Sequence, residues 1–493
     1  MIKMNKLKPI ILVDAVFFQR YLTGIGRVWY SLLEEWSFNG FAKHIVVIDR
    51  ANTAPKIAGI RYRDAPPHNY DTPDTDCEIL QQICDEEEAD IFISSYYTRP
   101  ITTLSVLIAY DMIPEVLGWD LRHPIWQQKQ DSIQHASAYI AISQNTADDL
   151  VKFFPDISTN SIAIAHCGVK DPFRPSTNKE VNAFKFKYGI TKPYFLMVGC
   201  NSSYKNMGFF LKAYSLLVNN KEIDIVITGR QKELSSEYMG YTAGCTVHIL
   251  LLNDEELACA YSGAITSVYP SRYEGFGLPL LEAMACGCPV ITCSNSSIPE
   301  VAGEAAIYVK QDDLKAMVTA LCEVQNPSTR QSLITAGFAQ ATKFSWAKMA
   351  NIVSSALVNA SLLHLNLNQN NLIIFPNWNL ATEALTLEIE QIIKLVGTHS
   401  DSQTTTLLIE TNDFNIDNAE MILSDVMMSL LMQEDVEIAE GLHISLVSDL
   451  DDIQWEHLLP QIKARIIMNE ENQEALSTFT IDSIPVFNFS VVD

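Results

Sequence analysis

No stretch of this sequence reaches the roughly 18 consecutive apolar residues of a membrane-spanning helix, so no integral membrane segment is expected. The apolar run behind Lys3, Lys6 and Lys8 is broken by Asp14 directly after Pro9–Val13, and no small-residue cleavage site follows, which argues against a secretory signal. The cytoplasm is the expected location. Paired C-x-x-C spacings are missing among the 10 cysteines, and no matching histidine set accompanies them, so a zinc site is poorly supported. Cys286, Cys288 and Cys293 surround an expected helix end and strand and read as small buried apolar residues, reduced as in the cytosol. Basic residues almost vanish from the C-terminal part: residues 361–493 carry 3 basic and 22 acidic groups, which is −19 of the total −25. Such a surface repels phosphate backbones and anionic headgroups, which excludes nucleic acid and electrostatic membrane docking there. Residues 1–180 carry 17 basic and 23 acidic groups, whereas residues 181–360 carry 14 of each and can still collect a diphosphate. A short-period repeat is also lacking.

What the sequence does contain is a regular alternation of short apolar runs with helix-period segments, the signature of βαβ units and mostly parallel sheets. Its 493 residues exceed one core, and 48% hydrophobic with 19% charged residues is the balance of a folded chain. Strands are expected at Ile10–Val13, Ile45–Ile48, Ile91–Ile93, Ser105–Ala109, Ala138–Ile142 and Ile162–Ala165. Ala51–Asp76, rich in Pro and Asp, reads as a loop, and its Asp74-Thr75-Asp76 as an ordinary solvated turn. Asp171–Lys179, with two prolines, reads as an interdomain linker. Further strands follow at Tyr194–Val198, Asp224–Thr228, Val247–Leu251, Ala264–Tyr269, Pro289–Thr292 and Ala306–Tyr308, then an amphipathic helix over Ser345–Ala360. Beyond a polar joint at Leu365–Asn371, strands are expected at Leu372–Phe375, Thr406–Glu410, His443–Val447, Ala464–Met468 and Pro485–Phe489, with helices near Ala384–Val396 and Ala419–Met432. Three α/β domains result, over residues 1–175, 176–360 and 361–493.

The most informative segment runs from Thr266 to Ile291 as strand, loop, helix and strand. Pro279 suits a first helical turn, where its missing N–H costs nothing, and Gly287 suits a left-handed cap before Pro289. The helix therefore begins just after Gly277. Unpaired N–H groups and a positive dipole end at such a start suit a diphosphate, and Gly275 and Gly277 let the backbone approach it. Glu274 before the helix and Glu282 about one turn inside it can each grip a vicinal diol, because a carboxylate accepts two hydroxyl hydrogen bonds.

The segment Glu274-Gly-Phe-Gly-Leu-Pro-Leu-Leu-Glu282 resembles the E-x7-E signature of the large retaining glycosyltransferase family four. The resemblance covers approximately residues 10–360 in the family's order. Thr23-Gly-Ile-Gly-Arg27 is similar to its N-terminal glycine loop, and Asp111-Met-Ile-Pro114 to its His-Asp-x-x-Pro segment. Val198-Gly-Cys-Asn-Ser-Ser-Tyr-Lys-Asn206 is similar to its phosphate-binding turn, Asn295–Val301 to its next loop, and Phe344-Ser-Trp346 to its crossing helix. The implied fold is α/β of the GT-B type, two facing Rossmann-like domains, here with a small C-terminal α/β domain. The resemblance carries catalytic roles to Glu274, Lys205 and Asp111. It carries donor contacts to Gly275, Phe276, Gly277 and Leu278, to Gly199, to Gly24 and Gly26, and to Glu282 at the ribose. Tyr204 stands where the family commonly has arginine, leaving Arg230 or Arg272 to supply that cation, and Tyr110 stands where many members have histidine.

The implied reaction is transfer of a hexose, mannose or glucose type, from a nucleoside diphosphate sugar to a glycan or lipid-linked acceptor with retention. The nucleotide sugar is a co-substrate, and neither cofactor nor metal is expected. Any membrane encounter would be peripheral and made through the acceptor. A nucleotide-sugar epimerase, a phosphorylase and a non-catalytic nucleotide-binding relative stay open on the same architecture. The acidic C-terminal part lacks any Glu-Gly-Phe-Gly segment and reads as an interaction or packing domain, through which a protein partner is conceivable. Its clusters Glu434–Glu437 and Asp449–Asp452 lack the glycine and ligand spacing of a calcium loop and read as solvated surface.

Overall fold

Continuous Val/Ile/Leu runs belong to strands buried on both faces of a parallel sheet, and three such sheets account for them. The computed structural model describes residues 8–20, 24–199, 202–229, 233–379, 382–411, 414–432, 442–478 and 484–487. The first sheet comprises β1 (Ile11–Asp14), β2 (Ile45–Arg50), β3 (Arg61–Ala65), β4 (Ile91–Ser94), β5 (Ser105–Ala109), β6 (Ala138–Ala141) and β7 (Ile162–Ile164), in the order β3-β2-β1-β4-β5-β6-β7. The second comprises β8 (Tyr194–Val198), β9 (Asp224–Thr228), β10 (Val247–Leu250), β11 (Thr266–Tyr269), β12 (Val290–Cys293) and β13 (Ile307–Val309), in the order β10-β9-β8-β11-β12-β13. Both orders reverse beside their first strand, and ligands of open α/β sheets bind beyond the strand ends at that reversal.

The third sheet, β14 (Asn370–Ile374), β15 (Thr405–Glu410), β16 (His443–Val447) and β17 (Ile462–Arg465), repeats half of this plan in the order β16-β15-β14-β17. The strand expected at Pro485–Phe489 is reduced to a bridge: Arg465 N–H donates to Pro485 O at 2.8 Å and Phe487 N–H to Arg465 O at 2.7 Å. Asn488 and Phe489 lie outside the described residues, as does the acidic cluster Glu434–Glu437. Asp451 of the other acidic cluster caps the helix Asp452–Leu458.

Five helices bear on the site: α1 (Gly24–Asn39), α2 (Pro73–Glu87), α3 (Gln144–Phe153), α4 (Leu278–Ala285) and α5 (Trp346–Ser361). After capping by Ser345, α5 returns from the second sheet to lie on α1, where Trp36 Nε1 donates to Ala350 O at 3.3 Å. Gly168 touches the start of α5; a Cβ there would stand 2.1 Å from Trp346 N, so only glycine fits. Gln454 and His457 of the third unit bond Ser361 and Asn359 at the other end of α5.

Two readings of Ala51–Asp76 are corrected. Arg61–Ala65 is an edge strand, parallel to β2, whose charged alternation left no apolar run; exposed Arg61 and half-buried Arg63 pair with Glu87 and Glu86. Asp74-Thr75-Asp76 is the first turn of α2, not a solvated turn, and Asp76 is buried. Its carboxylate receives Arg50 at 2.7 and 3.0 Å, while Arg50 also forks onto buried Asp14 at 3.0 and 2.9 Å. His68 Nδ1 lies 3.0 Å from the same Asp76 carboxylate. A guanidinium removed from water persists only when paired in this way. The expected linker likewise ends in structure, since Thr177 and Glu180 form a capping box on the helix Asn178–Lys187.

Candidate active site at the seam between two sheets

The loop after β11 is fixed before α4 begins. Gly277 takes φ +104°, a left-handed conformation that favours glycine, and caps α4; Pro279 occupies the first turn and Gly287, at φ +72°, follows its end. Ser297 Oγ donates to Glu274 O at 2.9 Å and Phe276 O at 3.0 Å, and Glu274 N–H donates to Ser296 Oγ at 2.9 Å. From the other sheet, Ser143 and Thr146 hydroxyls donate to Gly275 O at 2.6 and 3.1 Å. Leu278 at the start of α4 faces Gly24 at the start of α1: a Cβ on Gly24 would lie 3.6 Å from Leu278 Cδ1. Two helix starts therefore meet at the seam, each with unpaired N–H groups.

Three charged residues distant in sequence converge there. Lys205 Nζ donates to Glu274 Oε1 at 2.6 Å and to the Tyr269 hydroxyl at 2.8 Å. Lys205 lies in the turn after β8, which leaves the strand through Gly199 at φ +75°. Glu274 is only 7% exposed. Burial first, then the Glu274 charge, holds the Tyr269 hydroxyl well above its ordinary range, so it stays a neutral hydrogen-bonding group. Asp111 approaches from the first sheet and accepts Ile113 N–H at 3.0 Å. Burial raises the Asp111 pKa against the pull of Lys129, and the charges of Glu115 and Glu274 raise it further. A Cβ on Gly275 would stand 1.7 Å from Tyr110 O and 2.9 Å from Asp111 Cβ, so the two halves are in backbone contact.

Glu282 lies further along α4, buried, with its carboxylate taken by Arg27 of α1 and by the Tyr261 hydroxyl at 3.2 Å. Arg27 also bonds Asp254 at 2.6 Å and lies over the Phe173 ring at 5.1 Å. Burial raises the Glu282 pKa, Arg27 and the Tyr261 hydrogen bond oppose that, and Asp254 adds to it. Gly24 and Gly26 are not a loop: they open α1, Gly26 being buried, because the apolar face of Val28, Trp29 and Leu32 carries the helix back to them. Thr23 is outside the described residues, as are Cys200, Asn201 and Arg230. Arg272 does not replace the missing arginine at 204, since its guanidinium turns to exposed Asp312 at 3.4 Å. Tyr204 has the Lys205 ammonium 5.2 Å from its ring. Tyr110 points away from the seam, its hydroxyl accepting from Trp29 Nε1 and donating to Ser95 O at 3.3 Å.

Sequence reasoning passed over several partners. Tyr269 and Tyr261 were visible only as a strand end and an apolar helix position. The Ser143-x-x-Thr146 pair carried the signal of a helix cap, not of a seam contact. Glu300 was quoted only as part of a loop, yet it spans the seam: its carboxylate accepts Gln144 N–H at 2.8 Å at the start of α3 and lies 2.5 Å from His166 Nε2. Burial alone would raise its pKa, but hydrogen bonds from His166 and Gln144 bring it below the ordinary 4.5. A depressed carboxylate stabilises the closed seam fully above pH 4.5 and loses that contribution as pH falls through its lowered value. Glu300→Gln should remove about 1 kcal/mol of that acid-dependent stability; melting curves between pH 3 and 7 that match wild type in slope would refute the latch.

Among the described residues, no group of three or more His, Cys, Asp or Glu side chains is placed to hold a metal, and no helix is long and apolar enough to cross a membrane. Residues 192–326, which contain Lys205, Glu274 and Glu282, match the family model "Glycosyl transferases group 1". The chain carries a group 1 glycosyltransferase domain on a GT-B fold. This glycosyltransferase is 29% identical over 257 residues to the O-antigen chain mannosyltransferase B of Escherichia coli, a match covering 50% of this chain and 67% of that one. It is 26% identical over 287 residues to the serotype-specific mannosyltransferase WbdA of Escherichia coli, covering 54% of this chain and 35% of the relative. Its fold matches WaaG, a glycosyltransferase involved in lipopolysaccharide biosynthesis, with TM-score 0.58 at 16% identity over 71% of this chain and 99% of the other. It also matches Anabaena HepE in complex with UDP-glucose, with TM-score 0.55 at 12% identity over 71% and 99%.

Proposed function

We propose that this glycosyltransferase moves a hexose of the mannose type from a nucleoside diphosphate sugar to a hydroxyl of a glycan or lipid-linked acceptor, with retention at the anomeric carbon. The observation that carries the reading is the meeting of Lys205, Glu274 and Asp111 beside the start of α4. The bond from the anomeric carbon to the diphosphate oxygen breaks, the bond to the acceptor oxygen forms on the same face, and the acceptor proton passes to the departing diphosphate. Lys205 and the N–H groups of α4 neutralise the charge growing on that diphosphate. Glu274 positions the sugar hydroxyls and does not attack, and the closed seam keeps out water that would hydrolyse the donor. Charge compensation by Lys205 takes the place of a metal ion. The mannose type is supported by the named activities of the Escherichia coli relatives.

Donor entry releases Glu282 from Arg27, and the freed carboxylate holds the ribose diol. Glu282→Ala should weaken nucleotide-sugar binding about a hundredfold, about 2.7 kcal/mol; unchanged affinity by calorimetry removes the assignment. Thermal stabilisation by a panel of GDP- and UDP-hexoses identifies the donor, and the anomeric configuration of the product, read by NMR, tests retention. Tyr204 in place of a cation and the inward Tyr110 support one rival, a relative that binds nucleotide and turns nothing over; it would release no diphosphate with any acceptor. An epimerase would convert donors without acceptor, and a phosphorylase would require inorganic phosphate.

A further inference from the structure

The two faces of the third sheet are covered differently, since successive side chains of a strand point to opposite sides. Ile373, Phe375 and Leu408 pack with Leu362 and Leu365, which directly follow α5 and tie this unit to the rest of the chain. Leu372, Ile374, Leu407 and Ile409 turn the other way, under α6 (Thr382–Gly397) and α7 (Ile416–Leu431). Those two helices therefore form an outermost layer, on the side of the sheet away from α5. They lie against each other, and Ser429 Oγ of α7 donates to Glu390 Oε1 of α6 at 3.2 Å.

A helix on the outside of a domain ordinarily turns polar residues to water. On α7 the outward side is apolar instead. Met421, Met428 and Met432 recur at i, i+7 and i+11, on the side opposite buried Ala419, Val426 and Leu430, and are 59%, 59% and 77% exposed. Leu431 and, on α6, Leu387 are exposed as well. Exposed Asp417, Glu420 and Asp425 flank this stripe. Across both helices the carboxylates of Glu383, Glu388, Glu390, Asp417, Glu420 and Asp425 stand against one basic residue, Lys394.

We propose that this methionine face docks a basic amphipathic helix of a partner protein, with apolar anchors on Met421, Met428 and Met432 and lysines or arginines on the surrounding carboxylates. Methionine is unbranched and moulds itself to an incoming apolar side chain, and the stripe runs about 16 Å, three turns of a helix laid along it. Charge decides among occupants. Residues 361–493 carry 3 basic and 22 acidic groups, so a second copy would bring a second strongly acidic surface against the first, and an anionic bilayer would be repelled in the same way. Neither helix carries an aromatic ring on which a sugar could stack. A cationic partner alone gains from both the apolar stripe and its rim.

The test titrates the full chain into a fluorescently labelled synthetic peptide of about five helical turns, with leucine at core spacing and lysine elsewhere, read by anisotropy. One control peptide keeps the leucines and replaces lysine by glutamate; the other scrambles the order. Wild type should bind the lysine peptide saturably and each control at least about tenfold more weakly. Combining Met421→Gln, Met428→Gln and Met432→Gln should weaken binding at least about tenfold, with melting temperature and nucleotide-sugar affinity unchanged. Asp417→Asn with Glu420→Gln and Asp425→Asn should weaken it as much and flatten its salt dependence; these near-isosteric changes carry the test if the methionine variant melts early. Phe38→Gln, which removes a ring 84% exposed on α1, should change nothing. Absence of saturable binding in wild type, equal binding of the scrambled peptide, or unchanged affinity in the altered faces overturns the docking site. Sedimentation showing a dimer that the methionine variant dissociates would assign the face to a second copy and overturn the proposed partner.

Discussion

Lys205→Ala should lower kcat for sugar transfer about a thousandfold, about 4 kcal/mol, while moving the donor Kd by less than about tenfold. The expectation follows from what surrounds the ammonium. It lies 2.6 Å from Glu274, in the loop before α4, and 2.8 Å from the Tyr269 hydroxyl. Tyr204 occupies the neighbouring position without charge, and Arg272 is drawn off to Asp312. Truncation also strands Glu274, 7% exposed, without its counter-charge, so Lys205→Arg and Glu274→Gln are the informative companions. Lys205→Arg should retain more activity than Lys205→Ala; Glu274→Gln should lose rate while melting near wild type. Steady-state rates within tenfold of wild type for Lys205→Ala would remove it from the chemistry.

Gly275→Ala should abolish transfer to below about a thousandth of wild type, for a different reason. The new methyl would stand 1.7 Å from Tyr110 O, and backbone on both sides leaves no flexible side chain to move aside. The halves must separate to accommodate it, which parts Asp111 from Glu274 and releases Gly275 O from Ser143 and Thr146. The strands and helices of each sheet should remain formed, so circular dichroism should be unchanged. Small-angle scattering should show an expanded particle that donor fails to compact. Wild-type scattering together with wild-type rates would show that the contact is not needed for catalysis.

Much of the fold was legible because a strand buried on both faces can tolerate little besides apolar residues. Ser105–Ala109, Tyr194–Val198 and Asp224–Thr228 fall where their runs predict. Arg61–Ala65 was not legible, since an edge strand with one wet side needs no such run and its charges pair with helix glutamates. The start of α2 was readable but misread: Thr72, Pro73 and two aspartates form a helix-start pattern, and Asp76 was overlooked as the partner of an arginine 26 residues earlier. At the site, the strand–glycine–helix pattern fixed α4 and the position of Glu274 locally. The pairing of Glu282 with Arg27, 255 residues away, could not be read, because it depends on how two separately folded sheets face one another. Tyr110 departs from the family's histidine in sequence, yet its ring lies in the first core under Trp29, and only its carbonyl reaches Gly275.

The chain crosses from one lobe to the other twice, once after β7 and once entering α5, and the crossings touch where Gly168 meets Ser345 and Trp346. Two tethers joined at a shared line behave like a door hung on a single post: swinging remains easy, whereas twisting or sliding would tear the tethers apart. The expected opening is therefore a swing about that line, which would return Glu274 and Asp111 to the same facing without a search over orientations.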